Sequence, residues 1–392
     1  MKNYIALLLL AFTFTCIATA FTADQDNDKD DRTKSFTVTK GGTLELSTNG
    51  GDIKITTWEK NEVLVKARGF NEDDDYSGVK MHQSGNMIHV ETWGSCEEAH
   101  FDISLPADFN VDLRTSAGTI DIRGALSGKL TGSTSAGDIR LGNLGGEIEM
   151  HTSGGDIRAG KLKGTATLRT SGGNVSVEST SDELDVRTSG GEVTIGNVGK
   201  SLKASTSGGN VEIGDVGGDA EISTSGGNIN AGKITGRASL KTAGGDVELQ
   251  GATGRVIAKT SGGNVALSNI NGSVEAKTAG GDVDVELFPD ASGNSRLSSS
   301  GGAVKLSLPE NAKASIDALI RVRPNGWSFG FTTESMKDYK IRSDFKADSY
   351  EKDREDREIR GKYTLNGGGH SISLETTNGD IEIRKISNKS EK

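Results

Sequence analysis

The sequence predicts an all-β chain wound as a parallel β-solenoid, right-handed, with about 18 residues per coil and irregular β caps at both ends. Three observations carry this. A Thr-Ser-Gly-Gly-Asp/Asn-Val/Ile block or a close variant begins at Thr115, Thr134, Thr152, Thr170, Thr188, Thr206, Thr224, Thr242, Thr260 and Thr278, the first spacing being 19 and the next eight 18. So strict a period implies stacked equivalent units. Apolar residues alternate with polar ones on both sides of each block. The 392 residues include 54 Gly and only 4 Pro, with the Gly in pairs at long intervals, which excludes collagen, while the apolar residues in register with them argue against disorder.

Within a unit, the residues two and four before the Thr are apolar, as in Leu184 and Val186 or Ala220 and Ile222. So are those five and seven after it, as in Val193 and Ile195 or Val247 and Leu249. Both runs have the period of two expected of strands with one buried face. Ten after the Thr stands a further apolar residue, Leu144, Leu162, Val198, Val216, Ile234 or Ile270, read as an inward corner. The Thr shares the parity of the apolar residues before it, so its side chain should face inward and bond to turn backbone or a neighbouring Thr. The Gly pair implies a turn with positive φ or a close approach between coils. Independent hairpins would not need a fixed period. A solenoid does, because each strand pairs with its equivalent one coil later, and ten coils about 4.8 Å apart make a rod of about 48 Å.

In chain order, residues 1–20 read as a secretory signal peptide: Lys2, the apolar run Ile5 to Ala18, then the small residues Ala18-Thr19-Ala20. A polar acidic spacer follows over 21–35, an N-terminal β cap over 36–110, the Gly-rich repeats over 111–308, and a C-terminal β cap and tail over 309–392. No second apolar run is long enough to span a membrane, so no transmembrane span is expected in the mature chain. After cleavage a single cysteine, Cys96, remains, and it cannot form an internal disulfide. A degenerate copy of the block sits at Ser299, with relatives at Thr48 and Thr377. The aromatic residues concentrate in the caps, including Trp58, Trp93, Phe101, Trp327, Phe329 and Phe331. Lys340 to Lys362 shows no clear apolar face and reads as an exposed hairpin or loop.

The Gly-Gly-Asp-Ile blocks, the early strand pair around Trp58 and the terminal Thr377-Asn378-Gly379-Asp380-Ile381-Glu382-Ile383 resemble a bacterial putative-adhesin family of β-strand-repeat proteins, a domain of unknown function. The resemblance spans roughly Phe36 to Lys385. It implies an exported, all-β surface or envelope protein and carries over no catalytic residue.

Candidate sites follow from the columns that stacking creates. One residue before the Thr stand Arg114, His151, Arg169, Arg187, Lys241, Lys259 and Lys277; three before it stand Asp112, Glu149, Asp185, Glu221 and Glu275. These make adjacent basic and acidic stripes. One account is charge pairing that keeps the sheet soluble. The other is a basic binding track formed by Arg114, Arg169, Arg187, Lys241, Lys259 and Lys277 for an acidic polysaccharide or other cell-surface polymer. The Asp/Asn after the Gly pair, from Asp138 to Asp282, suits a turn ladder better than calcium, because half its members are Asn. His82, His89, His100 and Cys96 match no zinc spacing, so neither metal nor cofactor is expected. A net charge of -10 argues against a nucleic-acid partner. The reading is a non-catalytic adhesin or envelope scaffold, periplasmic, cell-surface or extracellular. The alternative is a polysaccharide lyase or hydrolase on a β-helix, which the uninterrupted spacing disfavours because it leaves no room for cleft-building loops.

Overall fold

A computed structural model describes residues 32–70, 78–94, 98–289, 293–323, 339–355 and 357–386. The signal-peptide and spacer residues up to 31, Cys16, Cys96, Trp327, Phe329 and Phe331 lie outside the described residues. Those described form 35 strands and no helix. The strands make two long, mainly parallel sheets, as expected for a solenoid.

The strand before each repeated Thr joins one sheet, and the strand after the Gly pair joins the other. Leu184–Arg187 pairs in parallel with Leu202–Ser205, Leu184 opposite Leu202 and Val186 opposite Ala204. Val193–Val198 pairs with Val211–Ile213, Val193 opposite Val211. The same 18-residue offset runs from Leu130 opposite Ile148 to Val256 opposite Val274. At the next step Glu275 lies opposite Arg296, 21 residues on, which accommodates the longer connection before Ser299. Like residues therefore stack on like, and Val193, Ile195, Val198, Leu184 and Val186 are all at most 2% exposed. Full burial of a Val, Leu or Ile contributes about 1.5–3 kcal/mol, so the columns supply the driving force that a lone hairpin lacks.

The polar residues of the turn are used as fully as the apolar ones. Each repeated Thr is buried. The Thr206 hydroxyl donates to the carbonyl oxygen of Gly191 at 2.8 Å, one coil back, and the pattern recurs from Thr134 to Thr278. The second glycine of each pair is required by close approach: a Cβ on Gly191 would lie 2.1 Å from the oxygen of Gly173. Positive φ is not the reason at these positions. The Asp/Asn column forms a ladder in which each side-chain oxygen accepts the backbone N–H of the next coil, as from Asn228 to Asn210 at 2.9 Å and Asp246 to Asn228 at 2.8 Å.

At both ends the stacking order departs from chain order. Thr43–Ser47 lies between Met87–Trp93 and Asn110–Arg114, and Asp52–Trp58 lies between His100–Pro106 and Ile120–Arg123. At the other end His370–Thr377 is inserted between Asn294–Ser299 and Ala314–Arg321. Ile381–Lys385 likewise sits between Val304–Leu308 and Ile341–Ser343. Antiparallel strands lie beyond: Arg32–Thr37 and Glu62–Arg68 on one sheet, Gly78–Ser84 on the other, and Glu358–Leu365 with Ser349–Asp353 at the C-terminal end. Such strands interrupt the parallel template that would otherwise invite edge pairing. Phe70, Phe101 and Phe109, all buried, fill the N-terminal end, with Phe70 edge-on to Phe101 at 6.0 Å.

One expectation is corrected and another made more specific. The last block is in register from Thr376, not Thr377: Thr376 stacks on Ser299 and its hydroxyl donates to Gly302 at 2.6 Å. Asn378, at φ 55°, stands where other units have the first Gly, so the copy is complete rather than one residue short. The stretch Lys340 to Lys362 does contain an exposed hairpin, Ser349–Asp353 pairing antiparallel with Glu358–Leu365, but the second strand has an inward face at Ile359, Gly361 and Tyr363. The Gly at 361 thins the apolar face and hides its period.

Candidate functional charged face

The expected basic residues do fall into one register. Ser133, His151, Arg169 and Arg187 are successive partners across strands, followed by Ser205, Ser223, Lys241, Lys259 and Lys277. Arg114 precedes Ser133. The column is therefore not continuous: Ser133 sets Arg114 apart, and Ser205 and Ser223 separate the run His151, Arg169 and Arg187 from the run Lys241, Lys259 and Lys277. It is also partly neutralised by its acidic neighbour. Arg114 pairs with Asp112 at 2.7 Å, Arg187 and Arg169 meet Asp185 at 3.2 and 3.5 Å, and Lys259 meets Glu275 at 2.5 Å. The Lys259 hydrogen bond holds the Glu275 carboxyl below its usual value, with Arg255 adding to the effect. Lys241 and Lys277 have no acidic partner among the described residues.

Beside this column runs a shallow groove of about 590 Å³, crossing several coils. Its charges are mixed: Glu183, Asp185, Asp219 and Glu221 against Lys203, Arg237 and Arg255. Lys203 pairs with Glu221 at 3.0 Å, and Arg237 grips Asp219 at 2.8 Å. The Arg237 backbone N–H and guanidinium together lower the Asp219 carboxyl. A second groove, about 580 Å³, lies at the coil corner among Lys161, Lys163 and Lys233, with Gly199 and Gly217 in its floor. A smaller depression of about 270 Å³ sits at the C-terminal end of the basic column, where Lys259, Lys277 and Arg296 approach Ser298, Ser300 and Thr377.

The stripes were legible because their members share one offset from the Thr. Lys203, Arg237, Arg255 and Arg296 were missed because their columns, three and five residues before the Thr or its serine substitute, mix signs. Reading those two columns unit by unit shows them.

The histidines are not gathered. His82 stacks on His89 at 4.7 Å, and His89 Nδ1 approaches Glu45 at 3.1 Å. His100 lies on the other sheet beside Asp52. Among the described residues no three His, Cys, Asp or Glu side chains are placed to hold a metal ion. In the Asp/Asn column one oxygen of each bonded residue is committed to backbone, as where the Asn174 N–H donates to Asp156 at 2.7 Å.

Fold and surface together define a stacked, parallel β-strand-repeat protein that displays charged columns along its length. Within it, residues 197–321 match the family model described as Toastrack DUF4097, a domain of unknown function. Among solved structures, one of a putative adhesin from Bacteroides fragilis is 13% identical, with 91% of this chain and 98% of that chain covered and a TM-score of 0.19. One of a putative cell adhesion protein from Clostridium sporogenes is 9% identical, with 91% and 100% covered and a TM-score of 0.15. No curated protein matches. The functional argument therefore rests on this chain's own residues.

Proposed function

We propose that the protein is an exported, non-catalytic, right-handed β-solenoid serving as an adhesin or envelope scaffold. The face carrying Arg114, Arg169, Arg187, Lys241, Lys259 and Lys277 binds an acidic polysaccharide or similar envelope polymer. In this reading residues 1–20 are removed on export, 21–35 are a polar acidic spacer, 36–110 and 309–392 cap the rod, and 111–308 form the display surface. The observation that carries it is the in-register stacking of like cations on neighbouring strands, at intervals of about 4.8 Å.

The pairing of these cations with Asp112, Asp185 and Glu275 does not remove the track. Exposed ion pairs contribute only about 0–1 kcal/mol, so a polyanion meeting many of them can replace the local carboxylates. Each contact is weak, and strength comes from holding many at once along an extended partner.

The test is a glycan array probed with the purified mature chain at low and raised salt, with product release followed in parallel. Binding to acidic glycans that weakens with salt and is lost in the triple variant R169S/R187S/K241S is expected. No binding, or binding indifferent to the triple variant, removes the track. Released product would instead make the protein a glycan-processing enzyme.

A further inference from the structure

The depression at the C-terminal end of the basic column brings two unpaired cations together, whereas elsewhere on the column Lys241 stands as a single unpaired cation among the described residues. Lys259 is committed to Glu275. Lys277 and Arg296, on adjacent strands and both exposed, have no acidic partner among the described residues. The two acids in its wall are already paired, Glu275 with Lys259 of the same wall and with Arg255 outside it, Glu375 with Arg321 outside it. Ser298, Ser300 and Thr377 add hydroxyls. The shape arises where the period breaks: the 21-residue step to Arg296 and the insertion of His370–Thr377 bring Thr377 and Glu375 into one depression with Lys277, across the intervening strand Asn294–Ser299.

We propose that this depression captures the carboxylate of a single uronic-acid residue. Arg296 presents a planar fork that matches a carboxylate in two parallel hydrogen bonds, and Lys277 supplies a second, freely oriented positive charge. A volume of about 270 Å³ exceeds what a bare oxyanion needs. The remaining walls suit a polyhydroxylated ring: Glu275 and Glu375, each already paired with a cation, keep lone pairs to accept from sugar hydroxyls, and the Ser and Thr side chains both donate and accept. A plain phosphate or sulfate would engage the two cations but carries no hydroxylated ring to fill the remaining walls. The proposal rests on the glycan-binding reading of the column and gives it an anchoring end.

The experiment is titration calorimetry of the full mature chain with sodium galacturonate, galactose and inorganic phosphate, and separately with polygalacturonate. Wild type, K277S/R296S and R169S/R187S/K241S are compared, with R296K as a folded control that keeps charge but loses the fork. Saturable galacturonate binding is expected, weakened at least about tenfold in K277S/R296S, intermediate in R296K and weakened less than about twofold in the triple variant, none of whose three residues lines the depression. Galactose and phosphate should bind markedly less well. Galacturonate binding that ignores K277S/R296S, or phosphate binding as tightly, overturns the pocket. If polygalacturonate binds and responds to the triple variant while galacturonate does not bind, the pocket alone fails. If galacturonate binds here while the polymer ignores the triple variant, the extended track alone fails.

Discussion

The hydroxyl of Thr188 donates to the carbonyl oxygen of Gly173 at 2.7 Å, across the boundary between one coil and the one before it. The same oxygen atom of Thr188 accepts from the N–H of Gly191 at 3.3 Å, within its own turn. One buried side chain thus satisfies a donor and an acceptor that the turn leaves outside the strand ladders. Thr188→Val keeps the shape and loses both bonds, and should cost about 1–3 kcal/mol by stranding buried polar groups. Thr188→Ser should remain near wild type, because Ser299 already fills the role in its own coil, donating to Gly281 at 2.7 Å. Urea denaturation of the two variants checks this; equal stability of Val and Ser would contradict it.

The two glycines of a pair should respond differently to the same substitution. A Cβ on Gly191 meets the Gly173 oxygen at 2.1 Å, whereas one on Gly190 meets the Gly172 oxygen at 3.2 Å. Nature has placed Ala at the first position in Ala117 and Ala136. Gly191→Ala should therefore destabilise by about 1–3 kcal/mol or more through overpacking against backbone, and Gly190→Ala by far less. Thermal denaturation midpoints of the two variants provide the comparison, and a reversed order would reject the close-approach explanation.

Acid should loosen the fold in a defined window. Lys200 holds Asp182, Arg237 holds Asp219, Lys259 holds Glu275, Lys385 holds Glu310 and Arg360 holds Glu358, each carboxyl lying below its ordinary value of 3.8 or 4.5. A carboxylate with a depressed folded pKa contributes stability that is fully present above the unfolded value. That contribution disappears as pH falls through the folded value. The contribution of these five should hold from neutral pH down to about pH 5 and decline below about pH 4, and salt should blunt it because the pairs are exposed. Thermal midpoints measured across pH at two salt concentrations test this, and a rise in stability below pH 4 would contradict it.

The inserted C-terminal strands should act as a lock. Removing residues 370–392 exposes Asn294–Ser299 and Ala314–Arg321, which His370–Thr377 joins, and leaves Ser295 without its 2.8 Å bond to His370 Nε2. Unpaired parallel edges of that kind template association. Light scattering should show oligomers from the truncated chain; a stable monomer with an unchanged melting midpoint would remove the lock.

Sequence reading succeeds wherever the period does the work. The Thr spacing, the alternating apolar pairs and the corner column all translate directly into the 18-residue pairing of Val193 with Val211 and its equivalents. It falters where pairing is set by chain threading. Nothing local to Thr43–Ser47 says that it will sit between two later strands, because that choice is made by which edges remain free once the other coils have stacked. The shift from Thr377 to Thr376 has a similar origin: Asn378 at positive φ replaces a glycine, and the block looks shorter than it is. For the charged face, the stripe was visible, whereas the local pairing of Arg187 with Asp185 and the freedom of Lys277 required side-chain geometry.

The central claim is that weak contacts add along the rod, and its most direct measurement is affinity as a function of ligand length. Uronic-acid oligomers of increasing length, from monomer to polymer, are titrated against the mature chain at fixed salt. Affinity should climb steeply with each added unit until the ligand spans the basic column, then level off, and R169S/R187S/K241S should flatten the climb. An affinity independent of length, or a climb unaffected by the triple variant, would contradict the account.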